Sequence, residues 1–341
     1  MSKTKKAALI GCGMIAETHL TALLAAGADV IGVYDKNYER ASSFAAAHNM
    51  KAYGAMEDVL ADDIELVSVC TPSGTHAALA EVIMEHGKYV IVEKPMALTV
   101  DACRRIIEIE QKTGRFCAPI SQLRFSPVYR QVKAAIDEGK FGRMILGLLS
   151  MKYYRAPSYY AGSWRGTRAM DGGGALMNQG IHGIDMMCGL LGYPTLVSGH
   201  TATLLHDIEV EDTAAASLVF PNGTLGVIDG STAVTYAKPR RLELCGTTAS
   251  LTIEEDAIVH AQGIDLPVSR ISGYKSFDDP TAISTDLHEY QFRNILAAIA
   301  DEEPLYYTSK EALRTVSVIT AIYESSCSGN RISLLCPENM I

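Results

Sequence analysis

The stretch AALIGCGMIAETHLTALLAAGADVIGVYD, residues 7–35, decides the fold. Ala7–Ile10 is a short apolar run that reads as a strand, Met14–Ala26 carries a helical pattern, and Val30–Tyr34 reads as a second strand. Between strand and helix, Gly11-Cys12-Gly13-Met14-Ile15-Ala16 matches G-x-G-x-x-A. Glycines there permit a tight turn and let a pyrophosphate approach amide groups at a helix amino terminus. Asp35 ends the second strand 22 residues past Gly13. An acid at that spot accepts hydrogen bonds from adenosine ribose hydroxyls and repels a 2′-phosphate, which favours NAD. Lys36 beside it leaves NADP open. The expected cofactor contacts here are Gly11, Gly13, Met14, Ile15, Asp35 and Lys36.

The alternation of apolar runs and helical patterns continues outward from this stretch. Leu66–Cys70, Tyr89–Val92 and Phe116–Ile120 read as strands, with helices over about 38–48, 76–86 and 100–113. Such alternation predicts a parallel sheet wound with helices, and ligands of such sheets bind at the carboxyl ends of the strands. Two loops at those ends carry chemistry. Thr71-Pro72-Ser73-Gly74-Thr75-His76 offers Thr71, Pro72 and His76 as cofactor contacts, or else forms a plain capped helix start. Glu93-Lys94-Pro95 follows the strand at 89–92. Proline biases Lys94 away from helical angles, so the amine leaves the sheet edge where a dinucleotide would lie. The alternative is a solvated ion pair of Glu93 and Lys94.

At 341 residues the chain has room for two domains, expected at 1–122 and 123–341. A net charge of −9 gives no electrostatic footprint for nucleic acid. No apolar stretch approaches the roughly 18 residues that span a bilayer. The lysines at the start precede only Ala7–Ile10 before a glycine, shorter than the hydrophobic region of a secretory signal, about 7–15 residues. Eight cysteines lack C-x-x-C pairs or metal-ligand spacing. These features point to reduced thiols, a cytoplasmic location and no metal site.

From about Arg124 the pattern changes to strands in succession, which predicts an α+β second unit. Pro127–Glu138 reads as a helix and Met144–Tyr153 as a long strand. Leu196–Leu205, Thr213–Phe220, Thr224–Thr232, Arg241–Cys245 and Ser250–Ile253 follow as further strands, and helices over about 286–301 and 309–326 end the chain. Residues 261–285 are the least patterned and read as a surface excursion. An exposed sheet in this unit would suit a homo-oligomer, a dimer or a tetramer.

The segment DGGGALMNQGIHGID, residues 171–185, puts three glycines ahead of an expected helix. Asn178, His182 and Asp185 stand at i, i+4 and i+7, so a regular helix would align them on one face beside an apolar stripe of Met177, Ile181, Ile184, Cys188 and Leu191. Gly180 inside it costs roughly 1 kcal/mol relative to alanine, which suggests a close approach to the backbone, with the glycines admitting substrate. Read alone, the segment is a core helix with one satisfied histidine. Tyr153, Tyr154, Arg155, Tyr159, Tyr160, Trp164 and Arg165 cluster upstream, and their aromatic faces and donors suit a polyhydroxylated ligand.

With these residues assembled, the chain resembles the Gfo/Idh/MocA oxidoreductase family, named for glucose–fructose oxidoreductase and inositol dehydrogenase. The resemblance rests on GCGMIAETHLTAL at 11–23, TPSGTH at 71–76, EKP at 93–95, QLRFSPVYRQVKAAIDEGKFG at 122–142, SWRGT at 163–167 and the 171–185 segment. It implies an α/β Rossmann domain, then an α+β domain with an open, mostly antiparallel sheet. It implies an NAD(P)-dependent oxidoreductase acting on a sugar, sugar derivative or cyclitol. Lys94 would contact substrate oxygen and nicotinamide, His182 would be the general acid/base, and Glu93, Gln122, Trp164 and Arg165 would lie by the cofactor. Arg124, Tyr153, Arg165, Asn178 and His182 join Lys94 as expected substrate contacts. The family commonly has aspartate four residues before that histidine. Asn178 replaces it here, as in branches resembling nucleotide-sugar dehydrogenases, so it can orient its neighbours but cannot take a proton. Two other outcomes stay open at this stage: a redox-neutral glycosidase or epimerase using transient oxidation, and a non-catalytic NAD- and sugar-sensing protein.

Overall fold

The computed structural model describes residues 4–268 and 285–334. The chain folds as two units, the first Met1–Gln122 with Ile283–Leu313, the second Leu123–Ala282 with Arg314–Ile341. The expected linear division at 122/123 is therefore crossed by a return of the chain to the first unit. Most of the expected excursion at 261–285 lies outside the described residues.

The first unit is built on β1 (Lys6–Ile10), β2 (Asp29–Tyr34), β3 (Lys51–Ala52), β4 (Leu66–Val69), β5 (Tyr89–Val92) and β6 (Cys117–Pro119). They pair in parallel in the order β3-β2-β1-β4-β5-β6. The strand order reverses between β1 and β4, which is where dinucleotide-binding sheets open to ligand. The crossovers are α1 (Met14–Ala26), α2 (Tyr38–His48), α3 (Met56–Ala61), α4 (His76–Glu85) and α5 (Val100–Thr113). β3 and α3, of two and six residues, are too short to announce themselves in the sequence. The strands are apolar along their length because both sheet faces are covered, as all four buried residues of β4 illustrate.

The second unit begins with α6 (Pro127–Asp137), whose N-cap Ser126 accepts from the amides of Val128 and Tyr129. Next come β7 (Met144–Lys152), the short α7 (Pro157–Tyr160) and α8 (Ile181–Leu191). β8 (Leu196–Ala202), β9 (Thr213–Val219), β10 (Leu225–Ser231), β11 (Arg241–Gly246), β12 (Ser250–Glu254) and β13 (Ala257–Gln262) follow. The chain then returns to the first unit through α9 (Asp286–Ile299), whose Phe292, Ile295 and Ile299 join one core with Ala16, Leu20 and Leu23 of α1. The helix α10 (Ser309–Ser328) starts in the first unit and ends in the second, and β14 (Ile332–Ser333) closes the order.

The second sheet runs β13-β12-β11-β7-β10-β9-β8-β14. Every pair is antiparallel except β7 with β10. Its strands alternate buried and open positions, β9 and β10 most clearly, so one face is core and the other is not. On the open face Leu225 stands opposite Leu146, and Val227 opposite Leu148.

Candidate functional site

In the first unit the site grows from the turn after β1. Gly11 holds φ at +98°, and a Cβ there would come within 2.8 Å of the Cys70 carbonyl oxygen, so only glycine fits. Gly13 is different. Its torsions are ordinary, and a Cβ would meet only the Cys70 oxygen at an unstrained 3.8 Å. The fold does not require glycine at 13, and the space beside its backbone is open to a ligand. Gly13 is also the N-cap of α1 and supplies no capping side chain, which leaves the helix start suited to a phosphate. Met14 is exposed beside it and Ile15 half-buried.

Asp35 is held by two backbone amides. Its Oδ2 accepts from the Cys12 amide at 2.9 Å and its Oδ1 from the Asn37 amide at 2.8 Å, which leaves lone pairs on both oxygens. Lys36 is exposed, and the exposed Arg40 reaches within 3.8 Å of Asp35. Gln122 adds an independent signal: its Oε1 is buried with no hydrogen-bond partner among the described residues. A carboxamide such as that of nicotinamide carries the donor this oxygen requires. Gly13, Asp35 and Gln122 together fit NAD.

His76 does not join them. It is buried, with Nδ1 2.7 Å from the Pro95 oxygen and Nε2 2.9 Å from the Thr71 oxygen. Burial holds its pKa below the usual value. The ring therefore straps the loop after β4 to the loop after β5, and the expected cofactor contact gives way to that role. Thr71 and Pro72 stay half-open, with Thr75 donating to the Pro72 oxygen and pairing with the Thr71 hydroxyl at 2.7 Å.

Lys94 is half-buried and directly follows Glu93, the first residue after β5. Glu93 is no solvated partner of that lysine. It is buried, accepting from His19 Nε2 at 2.9 Å and from the Lys94 amide at 3.0 Å. Burial would raise the Glu93 pKa, but the bond to His19 and the cations around it hold it well below the ordinary carboxylate value. Burial opposes a charge on His19, yet Cys70 and Glu93 beside it raise the imidazole to about 10.

In the second unit the 171–185 segment departs from a regular helix. Residues Ala175–Gly180 form a π-helical turn, and α8 starts only at Ile181. The π turn changes the residue period at Asn178, while His182 and Asp185 keep the i, i+3 spacing of α8. Asn178 donates to Asp171, and its Oδ1 accepts from Gln179 at 3.0 Å. Asp185 turns into the core, where Arg124 grips it through Nε at 2.7 Å and Nη2 at 3.0 Å, and Thr315 donates at 2.9 Å. Arg124 also bonds Tyr129 at 2.7 Å and is 5% exposed. The expected substrate contact at Arg124 is thus an interior ion pair fixing α8. His182, in the first turn of α8, is half-buried.

Gly173, Gly174 and Gly180 each lack room for a side chain. A Cβ on Gly173 would strike the Tyr323 hydroxyl at 2.2 Å, one on Gly174 the Glu211 carbonyl oxygen at 1.9 Å, and one on Gly180 Met151 at 3.0 Å. Glu211 pins the π turn, accepting from the amides of Gly174 at 2.9 Å and Leu176 at 2.8 Å and from Tyr323 at 2.9 Å. Burial pushes its pKa up.

Upstream, Tyr153 is buried, which raises its phenol to about 12, and so it is a wall of the core rather than an open contact. Arg155 donates to Gln179 at 2.8 Å, and Gln179 donates to Tyr159 at 3.1 Å. Arg165 lies over the rings of Tyr159 and Trp164, at 4.6 and 5.1 Å, and all three are half-buried. Gln179, Asp171 and Glu211 escaped the sequence reading, since nothing in their spacing announces long-range bonds to a π turn. His19 could have been found, as a histidine on the inner side of the first helix.

One potential metal-ligating group occurs among the described residues, His19, Glu93 and His288, all buried. No helix of the described residues is long and apolar enough to cross a membrane.

Two family descriptions match the chain. Residues 5–120 match the oxidoreductase family with an NAD-binding Rossmann fold, and residues 129–252 match the GFO/IDH/MocA C-terminal domain. Inositol 2-dehydrogenase of Rhizobium meliloti is 24% identical, over 97% of this chain and 99% of its own length. The scyllo-inositol 2-dehydrogenase (NAD(+)) of Bacillus subtilis is 28% identical, over 74% of this chain and 75% of its own. Among solved structures, the WlbA dehydrogenase of Bordetella pertussis, in complex with NADH and UDP-GlcNAcA, superimposes with a TM-score of 0.88 at 26% identity. That match covers 98% of this chain and 99% of the other.

Proposed function

The chain belongs to the Gfo/Idh/MocA family of NAD-dependent oxidoreductases, and on that premise we propose that it oxidises a carbinol carbon of a sugar, sugar derivative or cyclitol, or reduces the matching ketone, with bound NAD exchanging the hydride. The observation that carries the reading is Lys94 at the carboxyl end of β5, on the same sheet edge as the Gly11–Gly13 turn. Lys94 stabilises the developing alkoxide with its ammonium group. His182 takes the hydroxyl proton, since imidazole titrates near neutral pH and a protonated ketone is a poor product. Asn178 holds a fixed amide beside that histidine helix and moves no proton. Arg165, Tyr159 and Trp164 offer the stacked faces and donors that a polyhydroxylated ligand needs. The WlbA complex supports a sugar carried on a nucleotide, and the inositol dehydrogenases support a cyclitol.

The open face of the second sheet, with Leu225 and Val227 exposed, is part of the same reading as a homo-oligomer interface, and a monomer by light scattering would remove it. The enzyme is expected to work in the cytoplasm. The test of function is a screen of sugars, cyclitols and UDP-sugars with NAD and NADP, followed by absorbance. On the substrate found, Lys94→Ala and His182→Ala should each lower kcat about 10²- to 10⁴-fold while NADH still binds. Near-normal turnover by either variant overturns that residue's role.

A further inference from the structure

We propose that His19 and Glu93 form a buried hydrogen-bonded pair that positions Lys94, a step that deepens the functional reading above and rests on it. Glu93 immediately precedes Lys94, and both of its carboxylate oxygens are committed. Oε1 accepts from His19 Nε2 at 2.9 Å, and Oε2 accepts from the Lys94 amide at 3.0 Å. Holding both oxygens fixes the plane of the carboxylate, and that plane fixes the peptide from which the Lys94 side chain departs. His19 is itself held. It is fully buried in α1, its Nδ1 lies 2.7 Å from the Ser68 hydroxyl of β4, and the Phe292 ring meets it edge-on at 5.2 Å. Three elements thus converge on one side chain whose other end decides where a lysine stands. The helix that carries His19 is also the helix whose start, at Gly13, fits the cofactor.

Stability alone is a poor reason for this pair. Burying two polar groups costs about what their mutual hydrogen bond returns, and apolar replacements of similar shape are often neutral or better. A fixed direction is what an apolar pair could not supply, and Lys94 is what uses that direction. His288 brings a third nitrogen close enough for the cluster to hold a metal ion. However, the facing atoms of His19 and Glu93 already bond each other at 2.9 Å, so that hydrogen bond accounts for the geometry without a cation.

The experiment compares Glu93→Gln, His19→Leu and His19→Gln, each alone and combined with Lys94→Ala. In the Lys94-intact enzyme, Glu93→Gln and His19→Leu should lower kcat about ten- to a hundredfold, with NADH affinity and substrate KM within about threefold, as expected for a misplaced catalytic group. His19→Gln, whose amide can still donate to Glu93, should recover most of that loss. In the Lys94→Ala background the same changes should cost nothing further, because residues acting through one group are not additive. A full further loss in that background overturns the proposal, as does unchanged kcat in His19→Leu. Stoichiometric bound metal by elemental analysis, lost in His288→Ala, overturns it too. Lysine-selective ¹⁵N labelling separates this from failure of the functional reading. The Lys94 amide resonance should move in both Glu93→Gln and His19→Leu whatever the substrate, and an unmoved resonance overturns the link. Turnover surviving Lys94→Ala would instead sink the assignment of the lysine.

Discussion

Glu93 and Glu211 are equally buried, each 7% exposed, yet their pKa values move in opposite directions. Glu93 faces a histidine that can carry charge; Glu211 faces two amides and a phenol, all neutral. The difference reflects how each unit supports its functional residue. In the first unit Lys94 leaves a strand end, and its brace lies in adjacent strands and the first helix. In the second unit the helix of His182 is entered through a π turn, which Glu211 holds from 30 and more residues away. Strand-end loops follow from local pattern and topology. A π turn follows from what the rest of the unit presses against it.

The glycines make the largest-effect test of that contrast. In Gly174→Ala the new Cβ would sit 1.9 Å from a backbone oxygen of Glu211, an atom that cannot swing aside. The cost should be about 3 kcal/mol or more, at the top of the range for overpacking, read as a lowered urea midpoint with loss of turnover. Gly13→Ala meets nothing closer than 3.8 Å, so its midpoint should stay within about 0.5 kcal/mol of the parent. Its NADH affinity should nonetheless fall, about tenfold or more, because the lost space belongs to the ligand. Equal stability losses in the two variants would erase the distinction between a glycine kept for fold and one kept for cofactor.

The next test concerns Arg124, which sequence places at the substrate and the structure places in the core. Arg124→Met leaves the Asp185 carboxylate buried without its cation and should cost about 3–5 kcal/mol. Adding Asp185→Leu should restore much of that, since an apolar pair of similar volume needs no desolvation. A raised substrate KM at unchanged stability would instead return Arg124 to the site.

These cases mark what the sequence could reveal. The placement of the Gly11–Ala16 turn, Asp35 and Lys94 at strand ends was legible because a parallel sheet puts strand ends, turns and helix starts in a fixed relation. The strand succession of the second unit up to β12 was legible for the same local reason, though β13 was missed and β3, α3 and β14 were too short to see. The π turn that holds Asn178 was not legible because a 3.6-residue period assumes an unbroken helix. His76 and Tyr153 were misread because a polar side chain looks alike in sequence whether it meets a ligand or a backbone carbonyl.

The smallest expected effect returns to the two glutamates. A carboxylate with a lowered folded pKa adds stability above its unfolded value, and that contribution fades as pH falls through the folded value. Glu93 belongs to this class, so its contribution should be full above its ordinary value of 4.5 and decline below it. A carboxylate with a raised folded pKa behaves in reverse. Glu211 should contribute fully below 4.5 and progressively less as pH climbs through its raised value. Urea midpoints of the parent, Glu93→Gln and Glu211→Gln, taken from about pH 3.5 to 8, isolate each term by difference. The parent's advantage over Glu93→Gln should shrink towards acid, and its advantage over Glu211→Gln should shrink towards neutrality. Each slope is bounded by about 1.4 kcal/mol per pH unit, the worth of one proton. Slopes of the same sign would mean that burial alone governs both carboxylates, and that His19 carries no charge for Glu93 to meet.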